Sequence, residues 1–354
     1  MKKHLLFLII MLIGTNISIA QTVDVITGLS GEPNRFFLNG SDLYFTEQES
    51  NRLSKIDLSS NSPEVINVLS DLEHSASMVL KGNDLYLAIS SGNKISKIDL
   101  SSSSPVLIDV ITGLSLPNGL ALNGNELYFS ESIPGRISKI DISLGSPIPT
   151  LVVSGLKFPS ALVLVGNDLY ISEILGNRIS RIDISSNTPT VNNIITGLYK
   201  PVGIRIYGNT LLVAQGYLNK IVKVDLTTNP IRPVDVVERF GVLNGPTDII
   251  FYGNDLYIAE NEGRKISKVE GLLLELNESE NDEIVLFPNP TSDFISVSYI
   301  DQPISYSLFD INGKYVLQGS LRKNEKIDVR TINPGIYILE IDNELHRVVI
   351  EQLH

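Results

Sequence analysis

Gly119-Leu120-Ala121-Leu122-Asn123-Gly124-Asn125-Glu126-Leu127-Tyr128-Phe129-Ser130-Glu131 is followed, after a turn, by Arg136-Ile137-Ser138-Lys139-Ile140-Asp141. Short runs of β-branched and aromatic residues lie between Asn-Gly-Asn and Pro-Gly turn signals, which reads as antiparallel strands joined by hairpins. The stretch recurs. Its glycine falls at 40, 82, 124, 166, 208 and 253, and a basic residue follows twelve positions later at Arg52, Lys94, Arg136, Arg178, Lys220 and Lys265. Pro33, Pro117, Pro159, Pro201 and Pro246 each stand seven residues before the glycine. A period near forty marks a repeat architecture.

Each unit reads as four strands, here a to d. In the third unit strand a is Gly119 to Leu122, b Leu127 to Ser130 and c Ile137 to Ile140; Leu107 to Thr112 is an example of strand d. Tandem four-stranded units predict propeller blades, six of them. Helical solenoids of similar period need amphipathic helices, and none is found. The sixth unit stops after strand c, at Ile266 to Glu270. Val23-Asp24-Val25-Ile26-Thr27-Gly28-Leu29 matches Ile108 to Leu114 and predicts the missing strand, which closes the ring and removes two open sheet edges.

The remaining composition bounds the chemistry. The 354 residues carry 40 acidic and 28 basic side chains, a net charge of −12, which excludes broad binding to nucleic-acid phosphates. With no Cys, disulfides and thiolate sites are excluded. Lys2 and Lys3, the apolar run Leu5 to Ile13 and Ser18-Ile19-Ala20 form a secretory leader, with the mature chain expected to begin near Gln21. No later segment predicts a membrane span. The expected divisions are a signal peptide (1–20), the six-bladed propeller (21–270), an acidic linker (271–284) and a small immunoglobulin-like β-sandwich (285–354), all-β throughout.

Alternation along strand a separates two columns. Phe36, Met78, Leu120, Leu162, Ile204 and Ile249 belong to an apolar column expected between sheets, and the other column faces the channel. Arg35, Arg205 and Asp248 are its charged members. Arg35 and Asp248 sit at equivalent depth on blades one and six, where two readings stay open: an ion pair sealing the seam, or an anion-binding mouth in which Arg grips a carboxylate or phosphate. Glu47, Glu131, Glu173 and Glu260 end strand b and face Arg52, Arg136, Arg178 and Lys265 across the hairpin, which predicts sheet stabilisation. The acids at 57, 99, 141, 183, 225 and 270 read as turn formers. Function is expected where the repeat breaks, on the face of the d–a and b–c loops: Glu73-His74-Ser75, Gln215-Gly216-Tyr217, and the insertion around Arg239 to Asn244. Arg35, His74, Asn118, Arg205, Tyr217 and Asp248 are the candidate ligand-binding residues; no catalytic residue is assigned.

Pro117-Asn118-Gly119-Leu120, Gly124-Asn125-Glu126-Leu127-Tyr128 and Arg136 to Asp141 resemble the six-bladed propellers of the NHL-repeat and gluconolactonase-like families. The resemblance implies a divalent metal, Ca²⁺ or Mg²⁺, on Glu32, Asn118 and Asp248, and with it a metal-dependent lactonase-like hydrolase or lyase. Phe287-Pro288-Asn289-Pro290-Thr291-Ser292-Asp293, Asp310-Ile311-Asn312-Gly313-Lys314 and Asn333-Pro334-Gly335-Ile336-Tyr337, with strands near 294–299, 305–310, 325–329 and 336–341, resemble the type A C-terminal sorting domain of the type IX secretion system. That implies export through the periplasm, the type IX machinery as a partner, and release or attachment at the outer-membrane surface. The residues themselves favour a monomeric propeller that binds a glycan, peptide or protein on its loop-bearing face over an enzyme. They demand no cofactor.

Overall fold

A computed structural model describes residues 22–228, 231–237 and 243–272, and beyond them 286–287, 291, 293–297, 304–310, 314–322, 325–341 and 344–350. The expected leader, linker residues 273–284 and insertion residues 239–242 lie outside the described residues. Two compact units divide the chain, with the boundary at residue 273/274.

The first unit is built of four-stranded antiparallel sheets. β1 (Thr22–Ile26) precedes a sheet of β2 (Pro33–Asn39), β3 (Asp42–Glu47), β4 (Arg52–Asp57) and β5 (Ile66–Leu69). Next come β6 (Ser75–Lys81), β7 (Asp84–Ile89), β8 (Lys94–Asp99) and β9 (Ile108–Thr112), then β10 (Pro117–Asn123), β11 (Glu126–Glu131), β12 (Arg136–Asp141) and β13 (Thr150–Ser154). The fourth sheet holds β14 (Pro159–Val165), β15 (Asp168–Glu173), β16 (Arg178–Asp183) and β17 (Asn192–Thr196). The fifth holds β18 (Ile204–Tyr207), β19 (Thr210–Gln215), β20 (Lys220–Asp225) and β21 (Pro233–Val237). The last, β22 (Pro246–Tyr252), β23 (Asp255–Glu260) and β24 (Lys265–Val269), takes β1 as its fourth strand, with Thr22 opposite Val269 and Ile26 opposite Ile266. The first strands touch in the order β2, β6, β10, β14, β18 and β22, and β22 touches β2.

Apolar clusters join consecutive sheets. Tyr128 and Ile137 of the third pack with Leu162, Leu169 and Ile171 of the fourth. Leu29, Phe36 and Phe45 pack with Tyr257, Ala259 and Ile266 across the seam. This revises the two-column expectation. Ala121 packs with Leu162 and Ala161 with Ile204, so both faces of a sheet meet neighbouring sheets and only the inner strands also border the channel.

Strand a is bulged at its start. Between Pro117 and Leu120 the register with β11 shifts, and the Gly119 N–H donates to Ser130 Oγ at 2.8 Å instead of to a strand carbonyl. Ala161 uses Ser172 in the same way, at 2.9 Å. The hydroxyl satisfies a buried donor that the bulge leaves without a ladder partner. Gly119 is required here because a Cβ would lie 2.1 Å from the Ser160 carbonyl oxygen of the next sheet.

The glutamates ending strand b act as more than surface ion pairs. Glu131 and Glu173 are fully buried, and Arg136 and Arg178 each clasp their carboxylate in a two-pronged contact. Each carboxylate also accepts a serine hydroxyl from strand c, Ser138 or Ser180. A backbone N–H from the loop sixteen residues upstream completes the set, Ser115 to Glu131 at 3.0 Å and Lys157 to Glu173 at 2.7 Å. Glu47 and Glu260 hold Gly31 and Asn244 in the same way. In the fifth sheet neutral Gln215 replaces the acid and accepts from Tyr199 N at 2.9 Å. These side chains pin the d–a loops to the b–c hairpins. On the opposite side Asp57, Asp99, Asp141, Asp183 and Asp225 accept from the backbone two residues on, as turn formers do.

The second unit contains two sheets. One orders β25 (Leu286–Phe287), β26 (Phe294–Val297) and β29 (Lys326–Asp328); the other orders β28 (Tyr315–Leu321), β27 (Ile304–Asp310), β30 (Gly335–Ile341) and β31 (Glu344–Ile350). Ile295 and Ile327 of the first meet Leu308, Leu339, Ile341 and Val348 of the second in one core. The Asn333 to Tyr337 motif closes on itself, Tyr337 donating from Oη to the Asn333 carbonyl at 2.7 Å. Strand β28 is missing from the sequence expectation. It lies at a sheet edge and is exposed along most of its length, so its alternation is weak.

Burial pushes the Glu173 carboxyl up, but the bonds from Arg178, Ser180 and Lys157 outweigh it and hold the group below its ordinary value. Such a depressed value stabilises the fold above the unfolded-state pKa of about 4.3, and the contribution is lost as pH falls through the folded value. Glu173→Gln is expected to cost about 1–3 kcal/mol at pH 7. In urea unfolding its deficit against the parent chain should shrink steadily below pH 4. Removal of Thr22–Ile26 leaves the edge of β24 unpaired. A lower urea midpoint and self-association on size exclusion are expected, and an unchanged midpoint would show that the seam carries no stability.

Candidate functional site

In four units the d–a loop holds a side chain in a left-handed conformation just before strand a: His74 at φ 32°, Leu116 at 49°, Phe158 at 57° and Lys200 at 43°; in the sixth unit Gly245 takes the position, at 66°. Non-glycine residues held there are costly and persist only where the surroundings fix them. In four of these five loops the fixing group is an asparagine at the tip of a b–c hairpin, Asn51 for His74 among them; at Phe158 the tip residue is Gly135 instead. Asn93 Oδ1 accepts from Leu116 N, Asn177 Oδ1 from Lys200 N and Asn219 Oδ1 from Gly245 N, at 3.0, 3.0 and 2.9 Å. A ring of loops is thereby locked on one face, which presents Phe158 and Lys200.

A pocket of about 410 Å³ opens among these loops. Phe158, Ile174, Leu175 and Val202 form its apolar side, and Asn34, Gln48, Thr247, Asn261 and Glu262 its polar side. Tyr217 lines it and is 65% exposed. Tyr199 meets Tyr217 edge-on with 6.3 Å between ring centroids, and the Lys200 ammonium sits 3.9 Å from the Tyr217 centroid. The cation holds the ring in place by its attraction to the π face. Sequence reading found Tyr217 but missed Ile174 and Leu175. The signal was there: this tip places two large apolar residues on an exposed turn, where the tips of three other units read Gln48-Glu49-Ser50, Ser90-Ser91-Gly92 and Asn261-Glu262-Gly263.

A second cavity, the channel of about 540 Å³, is lined by strand a of all six sheets and contains Arg35, Arg205 and Asp248. The ion pair expected between Arg35 and Asp248 is not the one formed. Asp248 Oδ2 accepts from Arg205 at 3.1 Å and from the Phe36 N–H at 2.9 Å. Arg35 is long enough to cross the ring instead. It donates to the Thr247 carbonyl at 2.8 Å, to Ser160 Oγ at 2.7 Å and to Asn118 Oδ1 at 3.4 Å, all neutral acceptors, in the sixth, fourth and third sheets. Burial lowers its pKa from the ordinary value; Asp248 opposes that and Arg205 adds to it. Gly203 makes room for Asp248, since a Cβ there would lie 2.8 Å from Oδ1.

Arg35, Asn118, Arg205 and Asp248 thus come together, and Tyr217 lies in the other cavity. Asn34 and Thr247 line the loop pocket while their neighbours Arg35 and Asp248 line the channel, so the Arg35 spoke lies between the two. His74 is exposed in its loop and lines neither cavity, and Glu32 is half-buried and lines neither. The residues do not fit a divalent metal. Among the described residues no three His, Asp or Glu side chains gather as ligands. Asn118 Oδ1 and Asp248 Oδ2 already accept from the guanidiniums of Arg35 and Arg205, whose charge opposes a cation.

Solved structures with a similar fold include virginiamycin B lyase from Staphylococcus aureus, at 19% identity over 70% of this chain and 97% of that one, with a TM-score of 0.52. An auxiliary nutrient binding protein from Bacteroides ovatus is similar at 12% identity over 70% and 76%, with a TM-score of 0.58. At these identities the likeness is one of fold. No curated protein matches the sequence significantly. Residues 285–353 match the family described as secretion system C-terminal sorting domain. The chain therefore carries a type IX sorting domain at its C-terminal end, which directs a propeller-like all-β unit to the cell surface or the extracellular space.

Proposed function

We propose that the exported chain binds an extracellular ligand, a glycan, peptide or protein, through the loop-bearing face. In this reading residues 21–270 are a six-bladed propeller closed by β1. A leader ending at Ala20 precedes it, and an acidic linker with an immunoglobulin-like sorting sandwich follows. The observation that carries the reading is the loop pocket. It joins an exposed, cation-braced Tyr217 and the apolar Ile174–Leu175 tip to a wall of Asn34, Gln48, Asn261 and Glu262. Apolar contact surface with a few convergent polar groups is the composition of small-ligand sites, and its volume falls in their range. The loops are pre-set by the Asn–backbone bonds, which lowers the ordering cost of binding.

Glycan and peptide arrays probed with the full exported chain test this. At least one saturable ligand is expected, with its affinity reduced about tenfold or more in Tyr217→Ala, in line with the loss of an aromatic anchor. Arrays without a saturable ligand, or a ligand bound equally by Tyr217→Ala, would count against the pocket.

A further inference from the structure

The channel cluster contains two guanidiniums and one carboxylate, Arg35, Arg205 and Asp248. Arg35 and Asp248 are 4% and 1% exposed. Asp248 is paired with Arg205, and every hydrogen-bond acceptor of Arg35 is neutral, so the cluster carries one positive charge in excess. Two polar atoms in the same cluster have no partner: Nε of Arg35, a donor, and Oδ1 of Asp248, an acceptor. Buried groups of this kind are rare in folded proteins and call for an explanation. Away from the charges the channel is apolar, with Phe37, Leu38, Val79, Leu122, Val163 and Ile250 along its walls. The side chain of Arg205 is 27% exposed, so its charge is open to an incoming group.

We propose that the channel binds one amphiphilic monoanion, a carboxylate with an adjacent hydroxyl and an apolar body. The carboxylate neutralises the excess charge between Arg35 and Arg205 and supplies the acceptor that Arg35 Nε lacks. The hydroxyl donates to Asp248 Oδ1, and the apolar body lies along the channel walls, where its removal from water favours binding. This site is separate from the loop pocket, from which the Arg35 spoke divides it, so it stands or falls independently of the surface-binding reading.

Calorimetric titration of the full chain with 2-hydroxyoctanoate tests the proposal, with octane-1,2-diol as the uncharged comparator of equal length. Saturable binding of the acid is expected, with the diol at least tenfold weaker. Arg205→Met is expected to lose at least tenfold in affinity for the acid, and Arg205→Lys to retain most of it. Thermal unfolding of each variant confirms that it is folded, and the acid–diol comparison on the parent chain needs no variant. Absence of saturable acid binding at millimolar concentration, equal binding of the diol, or a folded Arg205→Met that binds as the parent does would overturn it.

Discussion

A sheet that is apolar on both faces needs a neighbour on each side, and a linear stack of such sheets always leaves two faces bare. A ring leaves none. The clusters joining consecutive sheets, including the one in which Phe36 and Phe45 meet Tyr257 and Ile266, show that this demand is met at the seam as it is elsewhere. The bulged starts of strand a, the serine bridges across them and the glycine at 119 follow from the same demand. Six inner strands converge on one axis, and backbones must approach closely there while every buried N–H keeps a partner.

Convergence also concentrates charge. A side chain on strand a has little room to turn away from the axis, so Arg35, Arg205 and Asp248 share one small space although they belong to three sheets. The outcome is a division of labour along the axis. The arginine spoke ties four sheets together through neutral acceptors, and the acid is left to the second arginine. On the loop face the repeating glutamates and asparagines perform the same tying for the loops, which lets residues such as Phe158 and Lys200 be held in a conformation they would otherwise avoid.

What could be read from the sequence and what could not divide along the same lines. The spacing of Gly40, Gly82 and their successors, and the match of Val23–Leu29 to Ile108–Leu114, report on local turns and on strand identity, and both survive translation into three dimensions. Position in strand a likewise announces the charged members of the channel, Arg35, Arg205 and Asp248, although apolar-column residues such as Leu38 and Leu122 line it as well. It does not announce how far each one reaches: equal depth suggested Arg35 with Asp248, but the length of arginine carries it past its neighbour, while Arg205, two positions further along its own strand, reaches back. The loop pocket was harder still, because its walls come from tips and loops of different units that no single window of sequence contains. The exposed edge strand Tyr315–Leu321 was hidden for a different reason, since a strand that buries little leaves little pattern.

The seam has a consequence for time as well as for stability. Every other strand pairing in the first unit joins neighbours in sequence and can form as a local hairpin. The contact between Asp24 and Lys265 spans 241 residues and is favourable only when the intervening sheets are in place to bring the ends together. Loop-closure entropy therefore favours the local hairpins forming ahead of the latch. Until the latch closes, the flank of β24 is the one strand edge of this unit waiting for a partner over two hundred residues away. A cell that exports this chain must keep that edge from other chains during the interval.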